Sequence, residues 1–212
     1  MAARMTPEAG IKAGKPRGPY RKTREVRRRI LDAALEVFAE SGYRSGSLRE
    51  IASRVEMSEA GLLHHFPSKI SLLEAVLEHR DERASRIVDH EAHDGMQMLR
   101  GLLDLARLNT KEPGVVELYC VLAAEATAPD HPAHDFFVAR YERLRDQIGR
   151  ALERVRADGY LRDGVDPARA AARMIAIWDG LQVQWLFDRS SIDMADELVD
   201  YLSRILTRPV EP

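Results

Sequence analysis

Ser58, Gly61, Leu63, His64 and His65 fall within one run of eight residues, and their side chains suit reading a surface better than making or breaking bonds. A histidine ring can donate to or accept from a base edge, a serine hydroxyl can do either, and a leucine can meet a thymine methyl. The glycine lets a backbone come close. Two other groups, His90-Glu91-Ala92-His93-Asp94 and Asp130-His131 with His134-Asp135, have spacing that resembles metal ligation. Both fall at expected loops or helix starts, where Asp and solvated His are common, so no metal site is assigned. There is no nucleophile elbow, no phosphate-cradling glycine loop and no dinucleotide fingerprint, so the reading is of a non-enzyme without a cofactor.

The elements that must position those side chains lie in the stretch Ser47 to Phe66, SLREIASRVEMSEAGLLHHF. It divides into two short helices joined by a tight turn, the arrangement that sets a helix into a DNA major groove. Ser47 and Glu50 have the spacing of a reciprocal capping box, and Ser58 caps the second helix. Ile51, Ala52, Val55, Met57, Leu62 and Phe66 form the apolar interior. Glu59, Ala60, Gly61, Leu63, His64 and His65 are left facing outward. Gly61 costs up to about 1 kcal/mol relative to alanine in a helix, which a close approach to another surface would explain. Glu56 stands in the turn, where a left-handed backbone costs a non-glycine residue on the order of 1 to 2 kcal/mol.

Net charge over the 212 residues is −2, and the sum hides an asymmetry. Residues 1–29 carry ten Lys or Arg against Glu8 and Glu25, while residues 30–80 and 81–212 are both net acidic. Within the motif only Arg49 and Arg54 are basic. Because phosphate attraction dominates nucleic-acid affinity, the arm and first helix must supply it. Arg21, Lys22, Arg24 and Arg28, with Lys69 at a helix start, are the phosphate candidates, and Arg17 with Arg21 is placed to reach an adjacent minor groove. Base readout falls to Ser58, Gly61, Leu63, His64 and His65. For the two histidines an equal alternative is that one packs beneath the helix and the other meets phosphate.

Residues 1–20, rich in Gly and Pro with few apolar side chains, read as a flexible basic arm. From Thr23, Ile30, Leu31, Ala34, Leu35 and Phe38 recur at helical spacing, and Gly42 is expected to cap that helix. Ser68 opens a helix carrying Leu72, Leu73, Val76 and Leu77, expected to run toward His90. Further helices are expected at about 95–110, 113–127, 132–159, 166–188 and 193–207. No strand-like alternation appears, so the fold class is all-α. The single Cys120 cannot form an internal disulfide and reads as a buried small apolar residue. No apolar run approaches the roughly 18 residues of a membrane span, and the N-terminus lacks a signal-peptide pattern, so a cytoplasmic, non-membrane protein is expected.

The chain resembles the TetR family of bacterial transcriptional regulators. The resemblance is carried by Ile30-Leu31-Asp32-Ala33-Ala34, Phe38, Gly42-Tyr43, Ile51-Ala52, Ser58, Leu62, His64 and Phe66-Pro67-Ser68-Lys69, and by Asp179-Gly180-Leu181 through Trp185. Glu56 and Glu59 depart from the family's usual turn and recognition-helix residues. The resemblance implies an N-terminal three-helix helix-turn-helix domain, residues 21–80, joined to a larger helical effector-binding and dimerisation domain, residues 81–212. It implies a small-molecule pocket among the middle helices, for which Tyr119, Phe137, Tyr141, Trp178 and Gln182 are the candidates. It further implies that the last two helices pair in a homodimer, through Met174, Ile177, Leu181, Trp185, Leu198, Tyr201, Leu202 and Ile205. The function so implied is a repressor released from a palindromic DNA operator by a small-molecule effector. Two other readings stand beside it: a helical enzyme or carrier using the central cavity, and an architectural DNA-binding protein without an effector. An enzyme has no use for a strongly basic arm, and an architectural protein leaves residues 81–212 unexplained.

Overall fold

The computed structural model describes residues 19–89 and 94–210, with side chains from Thr23 onward. Arg17 and the rest of residues 1–18 lie outside the described residues, and so do the side chains of Arg21 and Lys22. Helix α1 (Pro19–Ser45) buries Ile30, Ala34, Val37 and Phe38, the stripe its 3.6-residue period dictates. Gly42, with φ 75°, kinks the helix, and a further turn follows in which the Gly46 N–H donates to the Gly42 carbonyl at 3.0 Å. The expected cap is thus a kink. Gly46 is buried, and a Cβ there would sit 2.7 Å from Cδ1 of Phe38, so glycine is what lets the next helix begin at this point.

Helices α2 (Leu48–Arg54) and α3 (Glu59–His65) form the expected pair. The Ser47 hydroxyl accepts from the Glu50 N–H at 3.0 Å, but the reciprocal half of the box is not formed. Glu50 accepts instead from Arg54 at 2.9 Å. Ser58 caps α3 by accepting from the Gly61 N–H at 3.1 Å. Ile51, Ala52, Val55, Leu62 and Phe66 are buried and Met57 is half-buried, as the apolar pattern requires. Glu56 has φ 57°, the only positive φ outside glycine among the described residues.

Helix α4 (Lys69–Ser85) begins with a full capping box between Ser68 and Ser71. It ends at Ser85, short of the expected run toward His90, where Arg86 and Ile87 continue as a turn. The remaining helices are α5 (Gly95–Asn109), α6 (Pro113–Glu125), α7 (His134–Ala157), α8 (Pro167–Phe187) and α9 (Met194–Ile205), each within a few residues of its expected range. Asp94, Asp166 and Asp193 cap α5, α8 and α9 through their carboxylates, with Pro113 and Pro167 in the first turns of α6 and α8. Pairing of the β type is confined to one isolated bridge, Leu161 with Leu206, among the described residues.

Two apolar clusters fill the interior. One joins α1 to α4 with Leu118 and Leu122 of α6 and Phe137 of α7; the other joins α5, α7, α8 and α9. Cores therefore do not divide at residue 80, because α6 packs on α1. The second cluster also takes up most of the stripe expected at a dimer surface. Met174, Leu181, Trp185, Leu198 and Leu202 are all buried within the single chain, and Ile177, Tyr201 and Ile205 are half-buried against the same cluster. The Tyr201 hydroxyl donates to the Ala170 carbonyl at 3.1 Å. An amphipathic stripe looks the same whether it meets its own chain or another, and here most of it meets its own.

Replacing Glu56 with glycine removes the Cβ crowding of a left-handed residue, so Glu56→Gly should stabilise the fold by about 1 kcal/mol. For a chain of this length that raises Tm by about 2 to 4 °C in a thermal melt. An unchanged or lower Tm would mean the turn is not strained.

Candidate functional site

The first site is the outward face of α3. Glu59, Ala60 and His64 are exposed, and Gly61, Leu63 and His65 are half-buried. A Cβ on Gly61 would lie 3.3 Å from the Ser58 hydroxyl and 3.9 Å from Cβ of Met57. Part of the reason for this glycine is therefore inward, since a methyl group would press on the helix's own cap. The C-terminal end of α3 is held by Arg27 of α1, which sequence reasoning missed. Its Nη1 donates to the His65 carbonyl at 2.7 Å, and its guanidinium lies 4.2 Å from the centre of the Phe66 ring. A cation on a helix's last carbonyls opposes the macrodipole as well as making a hydrogen bond. Burial pushes the His65 imidazole below its ordinary pKa, and His64 and Arg27 push it the same way. The neutral form of the His65 ring is thereby favoured.

Cations around this face are fewer than the sequence count suggests. Arg54 is locked to the carboxylates of Glu40 and Glu50, with Glu36 at 3.6 Å, and its bond to Glu40 draws that carboxyl below its usual range. It is unavailable to phosphate. Lys69 does not project from the start of α4 as expected. Its Nζ donates to the Arg44 carbonyl at 2.9 Å and sits 4.9 Å from the Tyr43 ring centre, and burial lowers its pKa. Lys69 thus ties the end of α1 to the start of α4. Arg24 and Arg28 are exposed on α1, and Arg49 is exposed on α2. Arg24 lies one turn ahead of Arg27 and so shares the face that meets α3. Ser47 is exposed at the head of α2 with its hydroxyl engaged in the cap.

The second site is a cavity of about 140 Å³ among α4 to α8. All five aromatic or amide candidates, Tyr119, Phe137, Tyr141, Trp178 and Gln182, line it. The Tyr119 hydroxyl donates to the Leu77 carbonyl of α4 at 2.8 Å, and the Tyr141 hydroxyl donates to Asp179 at 2.8 Å. Sequence reasoning missed the charged members of the wall, Arg80, Arg140 and Asp179. Arg80 and Arg140 both lie over the Tyr119 ring, at 4.5 and 5.5 Å from its centre. Arg140 Nε donates to both oxygens of Asp81 at 3.2 and 3.1 Å. A signal existed, because Arg80 follows Val76 and Leu77 at helical spacing and Arg140 follows Phe137 by three residues, each a charge on an apolar face. Burial raises Asp179 above the usual carboxylate range, although Tyr141 and Arg140 pull it down. Cys120 also lines the cavity, half-buried, its thiol pushed up to about 11 by burial and by Asp179 and Glu117. A protonated thiol of this kind is a poor nucleophile.

The second metal-like group is turned to other contacts, and only Asp94 of the first is described. His90, Glu91 and His93 lie outside the described residues, and Asp94 is the α5 cap. His134 Nδ1 bonds to the Ala126 carbonyl at 2.8 Å and His131 Nδ1 accepts from the Ala133 N–H at 3.2 Å. No group of three or more potential ligands comes together among the described residues. Nor is any helix among them long and apolar enough to cross a membrane.

Residues 30–76 match the profile of bacterial regulatory proteins of the tetR family, and residues 96–208 match that of the BetI-type transcriptional repressor C-terminal domain. Among curated relatives, the transcriptional repressor KstR of Rhodococcus jostii is 28% identical over 184 residues, 82% of this chain and 80% of the relative. The transcriptional regulator AcrR of Shigella flexneri is 26% identical over 198 residues, covering 87% of this chain and 89% of its own. A TetR-family regulator from a Rhodococcus species superposes with a TM-score of 0.74 at 25% identity, over 87% of this chain and all of the other. A regulator from Saccharomonospora viridis, solved in complex with choline, does so with a TM-score of 0.71 at 28% identity, again over 87% of this chain and 100% of its own. Matched at both ends by family profiles and carrying a capped helix-turn-helix, the chain belongs to the TetR family of DNA-binding transcriptional regulators.

Proposed function

We propose that the chain is a cytoplasmic homodimeric repressor that leaves a palindromic operator when a small molecule fills the cavity. The carrying observation is the way α4 joins the two sites. At its head Lys69 ties it to the end of α1, beside the helix-turn-helix. At its tail His79 Nε2 lies 2.7 Å from Asp32 of α1, Arg80 stacks on Tyr119 of the cavity wall, Asp81 takes Arg140 and Arg143 of α7, and Arg83 reaches Glu112 at 3.0 Å. A ligand that contacts Arg80, Arg140 or Tyr119 differently from the empty cavity biases the position of α4, which is the differential interaction that linkage requires. The choline bound to the S. viridis relative supports a small-molecule role for this fold. Catalysis is no part of the proposal.

A dimer surface is available on α8, displaced from the stripe read off the sequence. Ala172, Ala176, Gly180, Val183 and Phe187 recur every three or four residues on its outer side. Val183 is 45% and Phe187 89% exposed, and a Cβ on Gly180 would meet nothing within 4 Å. Small residues beside a large exposed aromatic suit self-complementary helix pairing about a dyad. Two recognition helices related by that dyad would read half-sites about one helical turn apart, or a multiple of it.

Phe187→Glu should convert the protein to a monomer in sedimentation velocity and lower affinity for a palindromic duplex, selected from a random pool, by about tenfold or more. A dimer that survives this change excludes the α8 face. On that duplex, Arg24→Ala should weaken binding to all sequences alike and reduce the salt slope by about one, whereas Leu63→Ala should alter base preference with the slope kept; equal effects on slope and preference would contradict this division. Asp179→Asn tests the cost of keeping charge in the empty cavity. A carboxyl whose folded pKa is raised binds protons more readily when folded, so its charge opposes folding above that pKa. The variant should melt higher than the parent at pH 7, and the gain should vanish as pH falls through the raised pKa toward the ordinary carboxylate value. A variant less stable at pH 7 would refute that account.

A further inference from the structure

The cavity's wall carries charged groups of both signs, Arg80 and Arg140 from α4 and α7 and Asp179 from α8. On the α4–α7 wall, Arg80 and Arg140 share the single carboxylate of Asp81, which also takes Arg143. Arg140 meets both oxygens of Asp81 through its Nε, and its side chain lines the cavity. On the α8 wall, Asp179 accepts the Tyr141 hydroxyl on one oxygen and leaves the other without a donor. No ion pair joins Asp179 to Arg80 or Arg140 among the described residues, although all three line one cavity. Gln182 is 7% exposed, lines the same space and has no hydrogen-bond partner among the described residues. Arg140, Asp179 and Gln182 thus bring a cation, a carboxylate and an amide to one cavity.

Resting on the effector reading of this cavity, we propose that its ligand is a small zwitterion, an amino carboxylate. Its carboxylate pairs with the terminal nitrogens of Arg140, and its ammonium pairs with the free oxygen of Asp179 beside the Tyr141 and Trp178 rings. A ligand with only a cation would meet Asp179 but face two guanidinium groups. One with only an anion would meet Arg140 but face a carboxylate. The aromatic walls favour the ammonium end as ring faces favour cations, and Gln182 can serve either end as donor or acceptor. The volume sets the size, since a cavity of roughly 150 Å³ takes up benzene, which limits the ligand to about six to eight heavy atoms.

The test is calorimetric titration of the full chain with the ω-amino carboxylates from glycine through aminopentanoate, each against the n-alkylamine and the n-alkanoate of matched length. At least one amino carboxylate should bind about tenfold or more tightly than both of its controls, as a second charge-assisted contact implies. In Asp179→Asn its preference over the alkanoate should disappear while the alkanoate binds no worse. Controls that bind as tightly as the amino carboxylates, an absence of binding across the series, or a preference that survives in Asp179→Asn would each overturn the proposal. Repeating the titrations with fluorescent operator duplex separates the two readings. An amino carboxylate that binds without releasing DNA keeps the ligand class and removes the effector role. An alkylamine that binds as tightly and releases DNA does the reverse.

Discussion

The carboxylate of Asp81 is the interaction on which the rest of the molecule depends. It draws Arg80, Arg140 and Arg143 onto the tail of α4, and two of those guanidinium groups sandwich the interior beside Tyr119. Burying charges is expensive unless they are paired, and removing one partner of such a set commonly costs 3 to 5 kcal/mol, on the order of a third of a domain's stability. The arrangement is therefore hard to justify as a device for stability alone, since apolar side chains of similar volume would serve as well. It does give α4 a defined seat against α7, and it places two guanidinium groups on the cavity wall.

At the other end of α4 the charges follow a different logic. The helix-turn-helix is stapled internally by Arg54 with its acidic neighbours, by Arg27 on the end of α3 and by Lys69 on the end of α1. Three cations that a residue count would assign to phosphate are thereby committed to protein carboxylates, carbonyls and rings. What faces outward on α3 is close to neutral, with Glu59 beside Ala60, Leu63 and a His65 whose neutral form is favoured. Arg24 and Arg28 of α1 and Arg49 of α2 remain exposed.

Much of this was legible in the sequence because it is local. Ser58 before Gly61, Asp166 before Pro167 and the apolar stripe through Ile51, Ala52, Leu62 and Phe66 are set by contacts within a few residues, and they appear where spacing put them. The left-handed Glu56 was legible for the same reason. Ring-bearing candidates for the cavity were found because aromatic residues on the middle helices have few places to go in a domain this size. What escaped notice depends on distance in space. Nothing near Lys69 in sequence announces the Arg44 carbonyl, and although Glu50 and Arg54 stand four apart on one helix, nothing local places Glu40 beside Arg54. Met174, Leu181 and Trp185 were expected at a dimer surface and are buried within the single chain, because periodicity reports that a face is buried without reporting by what. The true outer side of α8, with alanines and a glycine ahead of Phe187, carries too little hydrophobicity to stand out.

Helix α4 has 17 residues, and at 1.5 Å per residue it is a rod about 25 Å long. Its head is tied to the end of α1 beside the helix-turn-helix and its tail to the cavity wall, with the buried Leu72, Leu73, Val76 and Leu77 packed between them. Lever arithmetic then sets the sensitivity of the machine. A tilt of about 5° about the cavity end carries the far end roughly 2 Å over that length, a displacement too small to disturb any core and large compared with the tolerance of a hydrogen bond to a base edge.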